Sequence, residues 1–186
     1  MRVIAGKLKS RIIKVPNSEL IRPTADKTRE TIFNYLNNFI KFDGAKVCDI
    51  YAGSGSLGIE AYSRGAQEIH FVEKDFKIQK NLMNNLEILD LTKFTKIYKM
   101  TALKFSLMEE HYNYNIIFAD PPFFKNDIYK VIQNLLLNRF LTKDGFIILE
   151  RSVQTEEEDI INFKTNPIRR LGDSLIYQFD YSNKFN

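Results

Sequence analysis

Four consecutive residues, Asp120-Pro121-Pro122-Phe123, form the stretch of this sequence that is best suited to hold a flat, polar ring. The two prolines oppose both a helix and a continued strand ladder, so they predict a rigid, extended bend. In such a bend Asp120 and the carbonyl of Pro121 can accept hydrogen bonds from an amino group, and Phe123 can stack on the ring. The alternative is a proline turn that simply ends the preceding strand.

A glycine-rich turn in the segment KVCDIYAGSGSLGIEA, residues 46–61, is the second candidate site. Residues 53–58 spell G-x-G-x-x-G between a short buried strand and a helix that stops near Gly65, which is the context that gives the motif meaning. Glycines there permit a tight turn and let a ligand touch the backbone. The pattern fits dinucleotide enzymes and S-adenosylmethionine enzymes alike, and also a small-residue turn without a ligand.

An acid at the end of the second predicted strand, Glu68–Glu73, is the third candidate. In a nucleotide-binding βαβ unit, an acid at this place accepts hydrogen bonds from ribose hydroxyls. The alternative role is to begin the next helix, because acids suit helix N-termini. Asp75 suits that role better, so Glu73 is predicted to hold a sugar.

The positive charge of the chain, +4 overall, is concentrated at its start. Residues 1–30 hold eight basic against three acidic side chains, and the remainder holds 19 basic against 20 acidic. A basic extension on a near-neutral body favours a nucleic-acid partner over the alternative, a solvated ribbon of charge. The candidate RNA contacts in this region are Arg2, Lys7, Lys9, Arg11, Lys27 and Arg29.

Length and composition exclude several classes of protein. A chain of 186 residues predicts one domain with at most a small extension, here a β-hairpin over residues 1–22 before a main domain over 23–186. No apolar run approaches the ~20 residues that span a bilayer, and the N-terminus lacks a signal-peptide core. With a single cysteine, Cys48, a reducing cytoplasmic location is expected. No cluster has metal-ligand spacing, so no metal is expected.

Apolar periodicity predicts alternating strands and helices that position these residues. The glycine turn, Glu73 and Asp120 then follow three strands at the carboxyl edge of a sheet, where ligands bind in open α/β folds. Besides the strands already given, two strands are predicted before the last quarter of the chain, over 96–100 and 115–120, and a third over 146–150 after a turn over 143–145. The predicted helices run from Pro23–Thr24 to Ile40, along a face with Ile78, Leu82, Leu86 and Leu89, and over 103–107, 127–140 and 156–163. Hairpins are predicted at both ends, over 2–15 with its turn near 6–10, and over 168–171 and 174–181 around Gly172-Asp173.

The layout resembles class I S-adenosylmethionine methyltransferases, and the DPPF motif is similar to that of their amino-methylating branch. Taken in order, RPTADKTRETIFNYL, DIYAGSGSLGIEAYSRGA and IIFADPPF resemble the RsmD family, from Arg2 to about Tyr181. The resemblance implies a Rossmann-like α/β fold with a seven-stranded, mainly parallel sheet that ends in an antiparallel hairpin. It also implies methylation of guanine N2 in 16S rRNA of the small subunit, within an assembly particle, by a monomer that uses S-adenosylmethionine.

Site roles carried over from this family follow the matching positions. Asp49, Tyr51, Gly53, Ser54 and Gly55 would line the methionine part of the cofactor, Glu73 would hold the ribose, and Lys74 would flank the adenosine. Residues 120–123 would grip the guanine, with Asp120 also near the cofactor, and Arg22 and Thr24 would border the active site and contact RNA. Family members often carry an acid after the third strand that binds the adenine amino group. Thr101 stands there in this chain, so its hydroxyl or the Ala102 backbone would have to replace that contact.

Three competing functions stay open at this point. A DNA adenine-N6 methyltransferase shares the DPPF chemistry, but no separate DNA-recognition domain is evident. An oxidoreductase would use the glycine turn for NAD, yet it leaves DPPF unexplained. A non-catalytic RNA-binding assembly factor would keep the basic extension, and failure to bind S-adenosylmethionine would favour it.

Overall fold

The predicted strands form one sheet in the computed structural model, which describes residues 1–15, 26–38, 40–122 and 126–183. Of the predicted site residues, Arg22, Thr24 and Phe123 lie outside this part of the chain. The strands are β1 Lys46–Ile50, β2 Glu68–Val72, β3 Thr95–Tyr98, β4 Tyr114–Ala119, β5 Leu141–Ser152, β6 Arg169–Leu171 and β7 Ser174–Phe179. Their spatial order is β3-β2-β1-β4-β5-β7-β6.

Helices cover both faces of this sheet. They are α1 Asp26–Leu36, α2 Ser56–Ser63, α3 Phe76–Ile88, α4 Ala102–Ser106, α5 Asp127–Leu137 and α6 Glu156–Phe163, with 3-10 turns at Thr92–Phe94 and Val153–Thr155. One apolar core joins the sheet to α1, α2 and α3. The other joins it to α4, α5 and α6. The predicted α/β fold class is therefore confirmed.

Strand direction brings the candidate residues to one edge of the sheet. The strands β3, β2, β1, β4 and β5 are parallel, whereas β7 runs antiparallel between β5 and β6. The last residues of β1, β2 and β4 are paired side by side. Tyr51, Glu73 and Asp120 each follow one of these strands directly, so they meet at what we call the carboxyl edge.

The first 15 residues, here called the N-terminal arm, fold back on themselves as predicted. Val3 N–H donates to the Arg11 carbonyl at 3.0 Å, and Ile13 N–H donates to the Met1 carbonyl at 3.0 Å. Val3 and Ile13 are buried in the core that contains α1, α2 and α3. The arm is thus packed onto the main body. The predicted domain boundary at residues 22 and 23 lies outside the described residues and stays a prediction.

The turn predicted over residues 143–145 is wrong in detail, because the structure includes these residues in β5. Tyr114 pairs with Leu141, whereas Ile116, two residues later, pairs with Phe146. The intervening residues of β5 bulge out of the ladder, which lets the chain enter the strand earlier than its apolar pattern indicates. The terminal hairpin around Gly172-Asp173 is confirmed.

Within the described residues, every helix is too short or too polar to cross a lipid bilayer.

Candidate active site

The glycine turn needs its glycines for two different reasons. Gly55 has φ +81°, and a Cβ there would lie 2.4 Å from Leu82 Cδ1, so this position is closed by packing. Gly53 has φ +56°, but a Cβ added to it would meet only the Tyr51 carbonyl, at 3.9 Å. The backbone at Gly53 is therefore open on the side where a ligand could approach it.

The N–H groups of the three motif glycines already have acceptors inside the protein. Gly53 N–H donates to Glu73 Oε2 at 3.1 Å, and Gly58 N–H donates to Asp49 Oδ2 at 2.9 Å. Gly55 N–H donates to the Ala52 carbonyl at 2.8 Å. A dinucleotide pyrophosphate needs such donors, so this arrangement disfavours the NAD alternative.

Glu73 is a buried acid that supports the turn from the end of β2. Besides Gly53, its carboxylate accepts from Asp75 N–H at 2.9 Å. Asp75 is the cap of α3, because its own carboxylate accepts from the N–H groups of Lys77 at 2.8 Å and Ile78 at 3.0 Å. The prediction that Asp75, and not Glu73, caps α3 is therefore confirmed.

Three carboxylates share the carboxyl edge. Burial raises the pKa of the Asp49 carboxyl well above its ordinary value. The bond from Gly58 N–H opposes this rise in pKa, whereas the negative charges of Asp120 and Glu73 add to it. An edge that concentrates negative charge in this way suits a cationic ligand and repels a phosphate.

The DPPF segment follows β4, as its position in the sequence predicts. Asp120 is half-buried, Pro121 is buried and Pro122 is exposed. Asp120 lies near enough to Asp49 for its negative charge to add to the rise in the pKa of the Asp49 carboxyl. The stacking role of Phe123 remains a prediction.

Tyr51 contributes a contact that sequence reasoning missed. Its backbone has φ +63°, in the left-handed region, and its hydroxyl donates to Asp127 Oδ1 at 3.2 Å. Burial, and then the Asp127 carboxylate, raise the pKa of the Tyr51 hydroxyl, which therefore stays protonated and donates. This bond joins the end of β1 to the start of α5.

The predicted adenosine-side residues lie at the ends of β2 and β3. Lys74 is exposed and directly follows Glu73. Thr101 is exposed and caps α4, because its hydroxyl accepts from Lys104 N–H at 3.1 Å. Ala102 is buried at the first position of that helix. Which of the two, the Thr101 hydroxyl or the Ala102 backbone, contacts an adenine stays a prediction.

Five of the predicted RNA contacts lie at the surface, whereas a sixth, Arg29, is buried. Arg2, Lys7, Lys9, Arg11 and Lys27 are exposed. Arg29 was expected at the surface too, and this is wrong: it is fully buried, and Nη2 donates to the Arg2 carbonyl at 2.5 Å. Arg29 therefore ties α1 to the N-terminal arm from inside.

The residues that hold the N-terminal arm in place were also missed. Glu60 of α2 is fully buried and accepts from the N–H groups of Ile4 at 2.7 Å and Ala5 at 3.0 Å. Asn85 of α3 accepts from Lys14 N–H at 2.9 Å and donates to the carbonyl of the same residue at 2.9 Å. The sequence signal that could have identified these two residues is a polar side chain on the buried face of a helix.

Asn85 also contacts the glycine turn. Its amide nitrogen donates to the Ser54 carbonyl at 3.1 Å, in addition to Lys14. The same side chain therefore joins the N-terminal arm, α3 and the turn. Asn85 is 1% exposed, so these bonds are made away from water, where leaving them unmade is costly.

A cleft of about 550 Å³ lies at the opposite edge of the sheet, where β1, β2 and β3 begin. It is lined by Lys7, Tyr62, Glu68 and Phe94, among others. No residue of the carboxyl edge lines this cleft, so the cleft is not a candidate for the binding and chemistry considered above. In the described part of the chain, no group of three or more His, Cys, Asp or Glu side chains could hold a metal ion.

Comparisons with known proteins agree with this geometry. Residues 1–179 match the family described as Conserved hypothetical protein 95. YlbH of Bacillus subtilis is 37% identical over 158 residues, which cover 84% of this chain and 85% of that protein. Ribosomal RNA small subunit methyltransferase D of Escherichia coli K12 is 35% identical over 154 residues, 83% of this chain and 76% of that protein. The solved structure of yhhF from Escherichia coli has a TM-score of 0.78 at 29% identity, over 96% of both chains.

Proposed function

The chain belongs to the Conserved hypothetical protein 95, or RsmD, family, and from that premise we propose that it methylates guanine N2 in small-subunit ribosomal RNA with S-adenosylmethionine. Relatives named as ribosomal RNA small subunit methyltransferases support the reaction class and the rRNA substrate. The choice of guanine N2 rests on the DPPF segment and its resemblance to the amino-methylating branch.

The observation that carries the proposal is the meeting of Asp120 with Asp49 and Glu73 at the carboxyl edge. In the proposal Asp120 receives an amino group of the substrate. Glu73 supports the open backbone of Gly53, and Asp49 supports the turn at Gly58. A methyltransferase needs such an arrangement, because the atom to be methylated must lie next to the methyl donor.

The residues of this edge fit S-adenosylmethionine better than NAD. When bound, S-adenosylmethionine supplies a methyl group that its sulfonium has already activated. Its two positive charges suit the acidic edge, whereas a pyrophosphate does not. Asp49, Tyr51, Gly53, Ser54 and Gly55 would line its methionine part; Glu73 would hold the ribose, and Lys74, Thr101 and Ala102 would flank the adenine.

Asp120 has two tasks in the proposed reaction. Guanine N2 is a weak nucleophile because its lone pair is shared with the ring. Hydrogen bonds from N2 to Asp120 and to the Pro121 carbonyl orient that lone pair, and such positioning can supply much of the rate. As N2 gains a methyl group it loses a proton, which Asp120 accepts directly or through water.

The target guanine must leave its base stack to reach the carboxyl edge. The exposed basic residues of the N-terminal arm then hold the surrounding RNA backbone. Because phosphate contacts release counterions, affinity for rRNA is expected to fall with salt. Phe123, Arg22 and Thr24 keep their proposed roles in gripping the guanine and bordering the site.

The test is transfer of a labelled methyl group from S-adenosylmethionine to small ribosomal subunits from a bacterium that lacks the corresponding gene, followed by nucleoside analysis. Label in N2-methylguanosine is the expected result. Label in another nucleoside would overturn the base assignment and leave the reaction class intact. A protein that binds the cofactor without labelling rRNA would point to DNA or another RNA. Absence of cofactor binding would favour the assembly-factor function.

A further inference from the structure

Helix α3 begins at the carboxyl edge and presents an exposed aromatic ring there. Asp75 caps the helix two residues after Glu73, so the first turn of α3 lies beside the proposed ribose site. Phe76, the first residue of the helix, is 75% exposed. Its ring is too exposed to contribute much to the core, which α3 reaches through Ile78, Leu82 and Leu86.

The exposed side of α3 is basic near this ring. Phe76, Lys80 and Met83 lie at i, i+4 and i+7 on one stripe of the helix, and Lys77 begins the neighbouring stripe. Lys74, Lys77 and Lys80 are all exposed, and among the described residues none of them makes an ion pair. The nearby acids are engaged elsewhere, since Asp75 caps the helix and Glu73 supports the glycine turn.

The N-terminal arm lies against the flank of α3 that carries Lys77. Asn81 and Ile88 follow Lys77 on the same stripe, at i+4 and i+11. The arm reaches this stripe where Arg11 Nη2 donates to the Ile88 carbonyl at 3.0 Å, and where Asn85, beside it, holds Lys14. Arg11 and Lys14 of the arm therefore contact the later half of the same helix that carries Lys77 and Lys80 near the carboxyl edge.

We propose that Phe76, Lys77 and Lys80 form a surface for single-stranded RNA that holds the nucleotides next to the target base. This inference rests on the proposed function, which it deepens by giving the RNA a path from the arm to the site. Charge complementarity with a polyanion selects RNA as the occupant. Aromatic rings that stand beside lysines are what proteins use to stack successive bases of a single strand.

Another exposed apolar residue provides a matched comparison. Ile161 of α6 is 73% exposed, nearly as much as Phe76, but its helix begins with four acidic residues. A solvent-exposed apolar side chain by itself is ordinary on a protein surface. Removing Ile161 should therefore have no effect on RNA binding, whereas removing Phe76 should.

The experiment compares Phe76→Ala and the double variant Lys77→Ala/Lys80→Ala with Ile161→Ala and Lys130→Ala/Lys143→Ala. For each we would measure the binding of oligouridylate at several salt concentrations, KM and kcat with unmethylated small subunits, and the Kd for S-adenosylmethionine. Lys130 and Lys143 are exposed lysines on the half of the chain that follows β4, so they control for loss of charge alone.

Phe76→Ala is expected to weaken oligouridylate binding roughly fivefold to 150-fold, the effect of losing one stacked base. The double lysine variant should lower the slope of log K against log salt by about 1.4, or about 0.7 for each phosphate that is no longer neutralised. KM for small subunits should rise in both, while kcat and the Kd for the cofactor stay unchanged.

Four results would reject the proposed RNA surface. Equal effects in the α6 and lysine controls would mean that general surface changes explain the loss. A weaker cofactor affinity in Phe76→Ala would place this ring in the cofactor site. Wild-type behaviour of both α3 variants, with an active wild-type enzyme, would reject the surface and leave the proposed function standing. A wild-type protein that neither binds RNA nor methylates small subunits would reject both proposals.

Discussion

The hydroxyl of Tyr51 donates a hydrogen bond to Asp127 Oδ1 over 3.2 Å, and this bond joins the end of β1 to the start of α5. Asp120 lies seven positions before Asp127 in the chain. Asp120 directly follows β4, whereas Asp127 is joined by this bond to Tyr51 after β1. Tyr51 is therefore expected to act as a positioning residue for the start of α5 at the carboxyl edge.

Tyr51→Phe is expected to lower kcat by about tenfold or more, because a hydrogen bond to a charged group contributes about 1.5–3 kcal/mol. The Kd for S-adenosylmethionine should change little, since the ring that lines the edge is retained. Tyr181→Phe is the control: its hydroxyl pairs with the Leu141 backbone at the beginning of β5, away from the carboxyl edge. An unchanged kcat in Tyr51→Phe would show that α5 is positioned without this bond.

Gly53→Ala should weaken cofactor binding much more than it weakens the fold. Its Cβ would meet no protein atom closer than 3.9 Å, so the stability cost is the left-handed φ alone, about 1–2 kcal/mol. Gly172→Ala has the same type of cost, with φ +58° and open space, in the terminal hairpin. Equal stability losses with a raised cofactor Kd only in Gly53→Ala would support the open backbone as a ligand contact. Equal Kd values for the cofactor in Gly53→Ala and Gly172→Ala would contradict a ligand contact at the Gly53 backbone.

Cofactor affinity should depend on pH through Asp49. Burial raises the pKa of this carboxyl in the free protein, so it becomes neutral at a higher pH than an ordinary aspartate. Only the charged form attracts the amino group of the cofactor, and affinity is therefore expected to fall as pH falls through the raised pKa. In Asp49→Asn the amide oxygen can still accept from Gly58, and the pH dependence should disappear. A Kd measured by calorimetry that is flat with pH in the wild type would refute this.

Asp120→Ala is expected to abolish methyl transfer and largely spare cofactor binding. The variant removes both the acceptor that orients N2 and the acceptor for its proton. Asp120→Asn keeps one hydrogen-bond acceptor and should retain a trace of activity at most, because an amide is a very weak base. Turnover near the wild-type rate in Asp120→Ala would exclude the assigned role.

Asn85→Ala should destabilise the protein by about 2 kcal/mol, because it leaves the buried carbonyl of Ser54 and the part-buried backbone groups of Lys14 without this partner. Urea denaturation measures this loss, and hydrogen exchange should show faster opening at residues 3 and 13 of the N-terminal arm. Asn134→Ala is a suitable control, since it removes a single bond between α5 and α4. Unchanged exchange in the arm would mean that its other contacts, such as those of Glu60 and Arg29, hold it without Asn85.

Local patterns in the sequence were sufficient for the elements that carry the carboxyl edge. The spacing of Glu73 and Asp75, one after a strand and the other before a helix, predicted which acid caps α3, and the structure agrees. The glycine turn was equally visible, because a strand, small residues and a helix follow one another without interruption. Such features depend on neighbours in the chain.

Contacts between distant segments could not be predicted in this way. Asn85 and Lys14 are 71 positions apart, and Glu60 and Ala5 are 55 apart, so no periodicity relates them. For Arg29 the helical spacing did contain the signal, since it lies four positions before the buried Phe33. Its charge suggested the surface, but the Arg2 carbonyl gives the guanidinium a partner inside.

The Asn85 side chain is expected to couple the binding of the two substrates. Because one buried amide holds both Lys14 of the N-terminal arm and Ser54 of the glycine turn, ordering of either segment should stabilise the other. The two binding equilibria then form one thermodynamic cycle, and linkage makes the effect symmetrical: the factor by which rRNA tightens cofactor binding equals the factor by which the cofactor tightens rRNA binding. After methyl transfer, release of either product would weaken binding of the other, so this coupling would favour release of both.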